Sequence, residues 1–117
     1  MSNLRIYHNP RCSKSRQTLQ LIEQQGLQPE VIEYLKTPPN PQEMTEILAF
    51  LGFDSARQLM RKNEDEYKQQ NLAALDVSEG SLIAALCQTP KLIERPIVVN
   101  GEKAVIGRPP ENVLNIL

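Results

Sequence analysis

Residues 8–16 read His-Asn-Pro-Arg-Cys-Ser-Lys-Ser-Arg, and they join a short apolar segment to a helical pattern that runs toward Gly26. This arrangement predicts a strand, a loop and a helix in succession, with Cys12 where the helix begins. Backbone N–H groups at that end have no partner inside the helix, and the helix dipole is positive there. Such a position lowers the pKa of a thiol. We therefore expect Cys12 to be reactive.

Strand signals on both sides of this helix predict the sheet. Residues 4–7 and 31–35 are rich in β-branched and aromatic side chains, and one intervening helix makes two such strands parallel. Residues 96–99 and 104–106 follow much later, joined by an Asn100-Gly101 pair that is typical of a hairpin. A last helix, starting at Pro109-Pro110-Glu111, is expected to carry Val113, Leu114 and Leu117.

The middle of the chain, about residues 40–90, predicts only helices. Asn40 is suited to cap the first of them, and Gly52 to end it. The predicted helices cover residues 41–51, 55–61, 64–70 and 78–89. The element order is therefore β-α-β, a helical insertion, then β-β-α. We expect one α/β domain spanning 1–117, thioredoxin-like, with a four-stranded mixed sheet flanked by helices.

Composition excludes several classes of function. The 117 residues carry a net charge of −1, so no global positive field attracts nucleic acid or an anionic membrane. The N-terminus lacks a signal-peptide pattern, and no apolar run approaches the roughly 18 residues of a membrane span. We expect a cytoplasmic protein whose two cysteines stay reduced, with neither nucleic acid nor membrane as a partner.

Spacing around Cys12 excludes related chemistries. Ser15 stands where a C-x-x-C dithiol would have its second cysteine, and Thr18 stands where a C-x5-R phosphatase loop needs arginine. No Cys/His cluster has zinc-ligand spacing, so no metal is expected. One nucleophile remains, which needs a second thiol from outside. The bland alternative is a buried, inert cysteine, which is our expectation for Cys87 on an apolar helix face.

Ionising Cys12 requires more than the helix end. A thiol with a pKa near about 8.5 is only about 3% thiolate at pH 7, and a helix N-terminus changes that pKa by roughly one unit. Neighbouring cations must contribute, and Arg11, Lys14 and Arg16 lie within four residues of Cys12.

Two other polar residues of this stretch allow alternative interpretations. His8 could orient or charge-pair the thiolate, or simply be hydrogen-bonded at a strand end. Ser15 could donate a hydrogen bond to the sulfur or help to start the helix.

Four segments, in order along essentially the whole chain, resemble the glutaredoxin-dependent arsenate reductase family. They are residues 7–12 (Tyr-His-Asn-Pro-Arg-Cys), 59–63 (Leu-Met-Arg-Lys-Asn), 94–99 (Glu-Arg-Pro-Ile-Val-Val) and 107–109 (Gly-Arg-Pro). The resemblance implies a thioredoxin-like fold, Cys12 as nucleophile and three arginines that hold the oxyanion, Arg61, Arg95 and Arg108. It also implies a cis Pro96 facing the cysteine, although most X-Pro bonds are trans. Arginine suits the role because its planar, permanently charged fork matches an oxyanion.

The resemblance further implies a reaction. The Cys12 thiolate attacks arsenate, glutathione displaces the adduct as co-substrate, and glutaredoxin completes the reduction as arsenite leaves; no cofactor is bound. Two other classes remain open: an Spx-like interaction protein that regulates RNA polymerase, and a monothiol glutathione-dependent oxidoreductase with another substrate. Ser15 removes the C-x-x-C switch of many Spx-type regulators, and binding alone would not call for three pocket arginines.

Overall fold

Four strands, four α-helices and three short 3-10 helices make up residues 3–117, the part of the chain that the computed structural model describes. These residues form two compact units. The first unit is the chain up to Thr37 together with Arg95–Leu117, and the second is Pro38–Glu94. The interpretation of residues 1–117 as a single domain stays a prediction. None of the helices within residues 3–117 has the length and apolarity to cross a membrane.

The first unit holds the whole sheet. Its elements are β1 (Leu4–His8), α1 (Ser13–Gln24), β2 (Glu30–Glu33), β3 (Ile97–Asn100), β4 (Lys103–Ile106) and a 3-10 helix (Pro110–Asn115). The strand order is β2-β1-β3-β4; β1 and β2 are parallel, and the other two pairs are antiparallel. The predicted four-stranded mixed sheet is confirmed. Its core is a cluster of buried apolar side chains from β1, α1, β3 and the 3-10 helix: Leu4, Ile6, Ile22, Val98 and Val113.

Two strand ends differ from the expectation. β2 stops at Glu33, two residues early, because the Glu33 carbonyl accepts the N–H groups of Lys36 and Thr37 in a turn, each at 2.9 Å. At the hairpin, Asn100 is the last residue of β3 and pairs with Lys103, so the turn residues are Gly101 and Glu102. Only Gly101 has a positive φ, of 64°.

The last predicted helix is a 3-10 helix, and its period decides which residues face inward. A 3-10 helix repeats every three residues, so Pro110, Val113 and Ile116 share one face. Pro110 and Val113 are buried, whereas Leu114 is 44% exposed and Leu117 37% exposed. The predicted helix is therefore present, and its 3-10 period leaves both leucines on the outer side.

The second unit is entirely helical apart from one isolated bridge. Its elements are α2 (Pro41–Leu51), a 3-10 helix (Ala56–Leu59), α3 (Asp65–Gln69), α4 (Glu79–Gln88) and a 3-10 helix (Pro90–Leu92). The predicted caps of α2 are confirmed: the Asn40 side chain accepts the Glu43 N–H at 2.8 Å, and Gly52 is left-handed with φ 73°. In α4 the buried residues are Leu82, Ala85 and Leu86.

The segment expected to be helical over residues 55–61 ends earlier. Ser55 and Gln58 form a capping box, so the predicted start is confirmed. Met60 then bridges Ile93, and the Arg61 N–H donates to the Leu92 carbonyl at 2.7 Å. This bridge draws the chain out of the helix after Leu59, so Arg61 does not end a helix.

Candidate active site

Cys12 lies at the N-cap position of α1, in the extended conformation that precedes a helix (φ −94°, ψ 123°). Its N–H donates to the Asn9 carbonyl at 3.0 Å, and its own carbonyl accepts the Arg16 N–H at 3.0 Å. The residue is partly exposed and its thiol is free of any disulfide. The predicted strand–loop–helix placement is confirmed.

The pKa of the Cys12 thiol lies below its ordinary value. Burial is the largest single influence and raises the pKa, because it disfavours the charged thiolate. The backbone N–H groups of Ser15 and Lys14 and the charge and hydrogen bond of the Arg95 guanidinium act in the opposite direction, and together they outweigh it. The cation that stabilises the thiolate is thus Arg95, from the other end of the chain, whereas Lys14 acts through its backbone.

His8 and Ser15 form a buried pair behind the cysteine. His8 Nδ1 lies 2.6 Å from Ser15 Oγ, which also accepts the Asn9 N–H at 3.0 Å. The His8 pKa lies below its ordinary value, chiefly because the ring is buried; Glu33 raises it and Arg16 lowers it further. A neutral imidazole does not charge-pair with a thiolate. Because the Ser15 hydroxyl bonds His8 and Asn9 while its backbone N–H interacts with the sulfur, this pair holds the first turn of α1 in place under Cys12.

Arg16 fixes the loop that precedes Cys12. Its guanidinium donates to the Pro10 carbonyl at 2.9 Å, on the exposed side of the loop. A second bond, from the Arg11 N–H to Asn9 Oδ1 at 3.0 Å, closes the same turn. Arg16 therefore supports the site by shaping this loop.

The segment that enters β3 brings Arg95 to Cys12, and Pro96 is the next residue along the chain. The Arg95 side chain hydrogen-bonds the cysteine, and the Arg95-Pro96 peptide bond is cis, as the family resemblance implied. The Arg108-Pro109 bond is also cis, which no sequence signal indicated. The Gly107 N–H donates to the Pro96 carbonyl at 2.9 Å, so the loop that carries Arg108 adjoins the one that carries Arg95. Arg108 itself is exposed.

Thr18 and Gly107 are in close contact beside the site, which the sequence did not reveal. Thr18 is fully buried, and its hydroxyl lies 2.8 Å from the Lys14 carbonyl and 3.3 Å from the Gly107 carbonyl. A Cβ on Gly107 would lie 2.9 Å from both Pro96 Cγ and Thr18 Cγ2, which is closer than packed carbon atoms approach. The absence of a side chain at Gly107 thus allows its loop to pack against Thr18 of α1 and against Pro96.

Replacing Gly107 with alanine should therefore destabilise the protein by about 1–3 kcal/mol, since the added methyl group overpacks a filled contact. Gly80→Ala is the matched control, because a Cβ there meets only Ser78 Oγ at 4.0 Å. That control should stabilise the fold by about 0.5 kcal/mol, because alanine restricts the unfolded chain. Urea unfolding of the two variants measures both changes; destabilisation by the same amount would contradict the contact described at Gly107.

Two residues of the sequence analysis lie in the second unit. The Arg61 guanidinium forms an ion pair with the Glu64 carboxylate at 2.8 Å. Cys87 is partly buried on α4, and burial, with a smaller effect of Glu43, raises the pKa of its thiol. Its raised pKa makes Cys87 a poor nucleophile. Within residues 3–117 no three His, Cys, Asp or Glu side chains are grouped so that they could hold a metal ion.

The site can therefore stabilise one thiolate beside one guanidinium. The structure brings together Cys12, Ser15 and Arg95, and His8 contacts Ser15 from behind. Such a thiolate is a nucleophile, and the loop of the exposed Arg108 adjoins the loop of Arg95.

Comparison with known proteins adds a family to this geometry. The sequence model of the ArsC family matches residues 7–116. An uncharacterized protein of Escherichia coli, YfgD, is 55% identical over 114 residues, which cover 97% of this chain and 96% of that protein. An arsenate reductase of Haemophilus influenzae is 52% identical over 112 residues, 96% of this chain and 97% of that enzyme. The structure of an arsenate reductase from Vibrio cholerae is similar with a TM-score of 0.95 and 51% identity, covering 97% of each chain.

Proposed function

Because the chain belongs to the ArsC family, we propose that it is an arsenate reductase in which Cys12 is the nucleophile. The observation that carries the proposal is the contact between the Arg95 guanidinium and a Cys12 thiol of lowered pKa. A thiolate attacks arsenic, and a guanidinium neutralises the charge of the approaching oxyanion.

The first step forms a bond between the Cys12 sulfur and arsenic(V). An oxygen of arsenate leaves as hydroxide and takes a proton to become water, so the product is a thioarsenate ester with arsenic still in the +5 state. We expect Arg95 to hold the remaining oxygens together with Arg108, whose loop adjoins that of Arg95. Fixed, charged donors of this kind stabilise the negative charge of the transition state without reorganising.

The second step needs a thiol from outside this site. Ser15 occupies the position of a resolving cysteine, and the other cysteine, Cys87, has a raised pKa. A glutathione thiolate would attack the Cys12 sulfur, so that a disulfide forms and the sulfur–arsenic bond breaks. Its electron pair stays on arsenic, which becomes arsenic(III) and leaves as arsenite. A glutaredoxin thiol then takes up the glutathione and restores the Cys12 thiolate.

Arg61 is the third arginine of this proposal. Its guanidinium already pairs with Glu64, so binding an oxyanion would require it to share or exchange that carboxylate. Its role in oxyanion binding stays a prediction.

The reaction suits a reducing compartment. Glutathione and glutaredoxin are kept reduced in the cytoplasm, where a single-thiol enzyme of this kind can be regenerated after each turnover. We accordingly propose a cytoplasmic location.

The proposal is tested by measuring arsenite formed from arsenate with glutathione and glutaredoxin present. We expect turnover that requires both reductants. Reduction of small disulfides without any arsenite would instead identify a monothiol oxidoreductase. Absence of both activities, together with binding to RNA polymerase, would identify an Spx-like interaction protein.

A further inference from the structure

A cavity of about 270 Å³ lies beside the cysteine loop and has no role in the proposed attack on arsenate. It sits where the parallel strands β1 and β2 end, and two short segments, residues 8–11 and 33–36, line it. The lining side chains are those of His8, Asn9, Pro10, Arg11, Glu33, Leu35 and Lys36. The carboxyl ends of parallel strands are where open α/β sheets bind ligands.

One wall of this cavity is the loop that holds Cys12. The Cys12 N–H donates to the Asn9 carbonyl, and the Arg16 guanidinium holds the Pro10 carbonyl, so this wall is fixed relative to the thiol. Consecutive Cα atoms are about 3.8 Å apart, which places Arg11 one residue from the nucleophile. A ligand of tripeptide length, about 10 Å when extended, can have one end in the cavity and its centre at Cys12.

The charges of the cavity favour a ligand that carries carboxylates. Arg11 and Lys36 are cationic and Glu33 is anionic, so the lining carries one excess positive charge. Lys36 Nζ and Glu33 Oε1 are 3.4 Å apart, but their side chains are 78% and 43% exposed. An ion pair as exposed as this contributes little stability, so a ligand can replace it at little cost. Leu35, which is 46% exposed, adds apolar surface.

We propose that this cavity binds the carboxylate-bearing end of a small thiol peptide, which in the proposed function is glutathione. Glutathione carries two carboxylates and one ammonium group, and thus the opposite excess charge to the lining. A carboxylate would pair with Arg11 or Lys36, and the ammonium group with Glu33. The assignment rests on the proposed function for the identity of the thiol, but its chemistry can be measured without arsenate.

The measurable step is thiol–disulfide exchange at Cys12. The Cys12 thiolate attacks one sulfur of glutathione disulfide, the disulfide bond breaks, and one glutathione leaves as a thiolate while the other stays bonded to Cys12. Hydroxyethyl disulfide undergoes the same exchange but carries no charge. The ratio of the two rates therefore reports recognition of the charged peptide, because any change in the Cys12 pKa or in folding affects both reagents.

The experiment compares Lys36→Glu and Arg11→Glu by mass spectrometry of the mixed disulfide, with Cys87→Ser present throughout so that one thiol reacts. Each substitution should lower the rate with glutathione disulfide about tenfold, since it sets a carboxylate against a carboxylate. The rate with hydroxyethyl disulfide should stay within about twofold. Lys103→Glu, the same charge change at an exposed position where β4 begins, is the control and should change neither rate.

An unchanged ratio in both cavity variants would overturn the site, as would an equal fall in the ratio for Lys103→Glu. These outcomes are separate from failure of the proposed function. A protein that forms no arsenite but shows the expected fall in ratio still has the glutathione site. If the protein reduces arsenate but the cavity variants leave the ratio of the two disulfide rates unchanged, glutathione binds at another site.

Discussion

Cys12→Ser should abolish arsenite formation, lowering kcat/KM by at least about a thousandfold, because a serine hydroxyl is not ionised at neutral pH and cannot form the sulfur–arsenic bond. The fold should remain intact. Cys12 lies at the N-cap of α1, where serine is among the preferred residues, so thermal unfolding should occur at the same temperature or slightly higher. Arsenite release and calorimetry of the same preparation measure the two effects.

Cys87→Ser is the matched control for this substitution. Cys87 is the other cysteine of the chain, and the raised pKa of its thiol argues against a role in turnover. The control should retain wild-type kcat/KM. If Cys12→Ser kept substantial activity, or if Cys87→Ser lost it, the assignment of the nucleophile would be wrong.

Arg95→Gln should lower kcat/KM for arsenate about a hundredfold, the loss typical of removing one charged or hydrogen-bonding donor from a transition state. It should also raise the pH midpoint of Cys12 alkylation, because the Arg95 guanidinium both attracts and hydrogen-bonds the thiolate. Steady-state kinetics and iodoacetamide alkylation measure the two effects. The lower kcat/KM and the higher alkylation midpoint should appear together, because the same guanidinium stabilises the thiolate before arsenate binds and the oxyanion afterwards.

Arg95→Lys and Lys103→Gln separate charge from geometry. Lysine keeps the charge but loses the planar fork, so the alkylation midpoint should move less than in Arg95→Gln while arsenate turnover still falls. Lys103→Gln removes a cation from an exposed strand position and should change neither quantity. A large fall in melting temperature for Arg95→Gln, in proportion to its lost activity, would instead show that Arg95 is structural.

The sequence predicts best where the stop and start signals are local. Asn40 and Gly52 mark the ends of α2, and both act as their chemistry implies. The strands are likewise recognisable from β-branched runs, and β3 begins at Ile97, directly after a proline that has no N–H to donate to the ladder. These features need no knowledge of the rest of the chain.

Tertiary contacts determine the features that could not be predicted from the sequence. Arg61 leaves its helix because Met60 pairs with Ile93, a residue from a distant segment. The last helix takes a 3-10 form, and its period of three residues leaves Leu114 exposed while Val113 is buried. Neither outcome follows from residues within a few positions.

Some features of the candidate site could likewise be predicted from neighbouring residues, whereas others depend on the fold. Placing Cys12 at a helix start required only its neighbours, but choosing among the cations required the fold. Arg11 and Lys14 are nearest in sequence, yet the guanidinium that lowers the pKa belongs to Arg95. The contact between Thr18 and Gly107 was equally hidden, although a glycine just before an arginine and a proline is a signal of a crowded backbone.

The pH titration of Cys12 in the wild-type protein tests most directly whether the site holds a thiolate. A lowered pKa means that the folded state releases its proton more readily than the unfolded chain, so the folded thiol reacts at a lower pH than the same thiol in urea. We predict that the midpoint of alkylation lies clearly lower in the folded protein than in urea, where Cys12 titrates as an ordinary thiol. A folded midpoint at or above the unfolded one would show that burial outweighs Arg95 and the helix start, and that Cys12 is not the nucleophile proposed for arsenate.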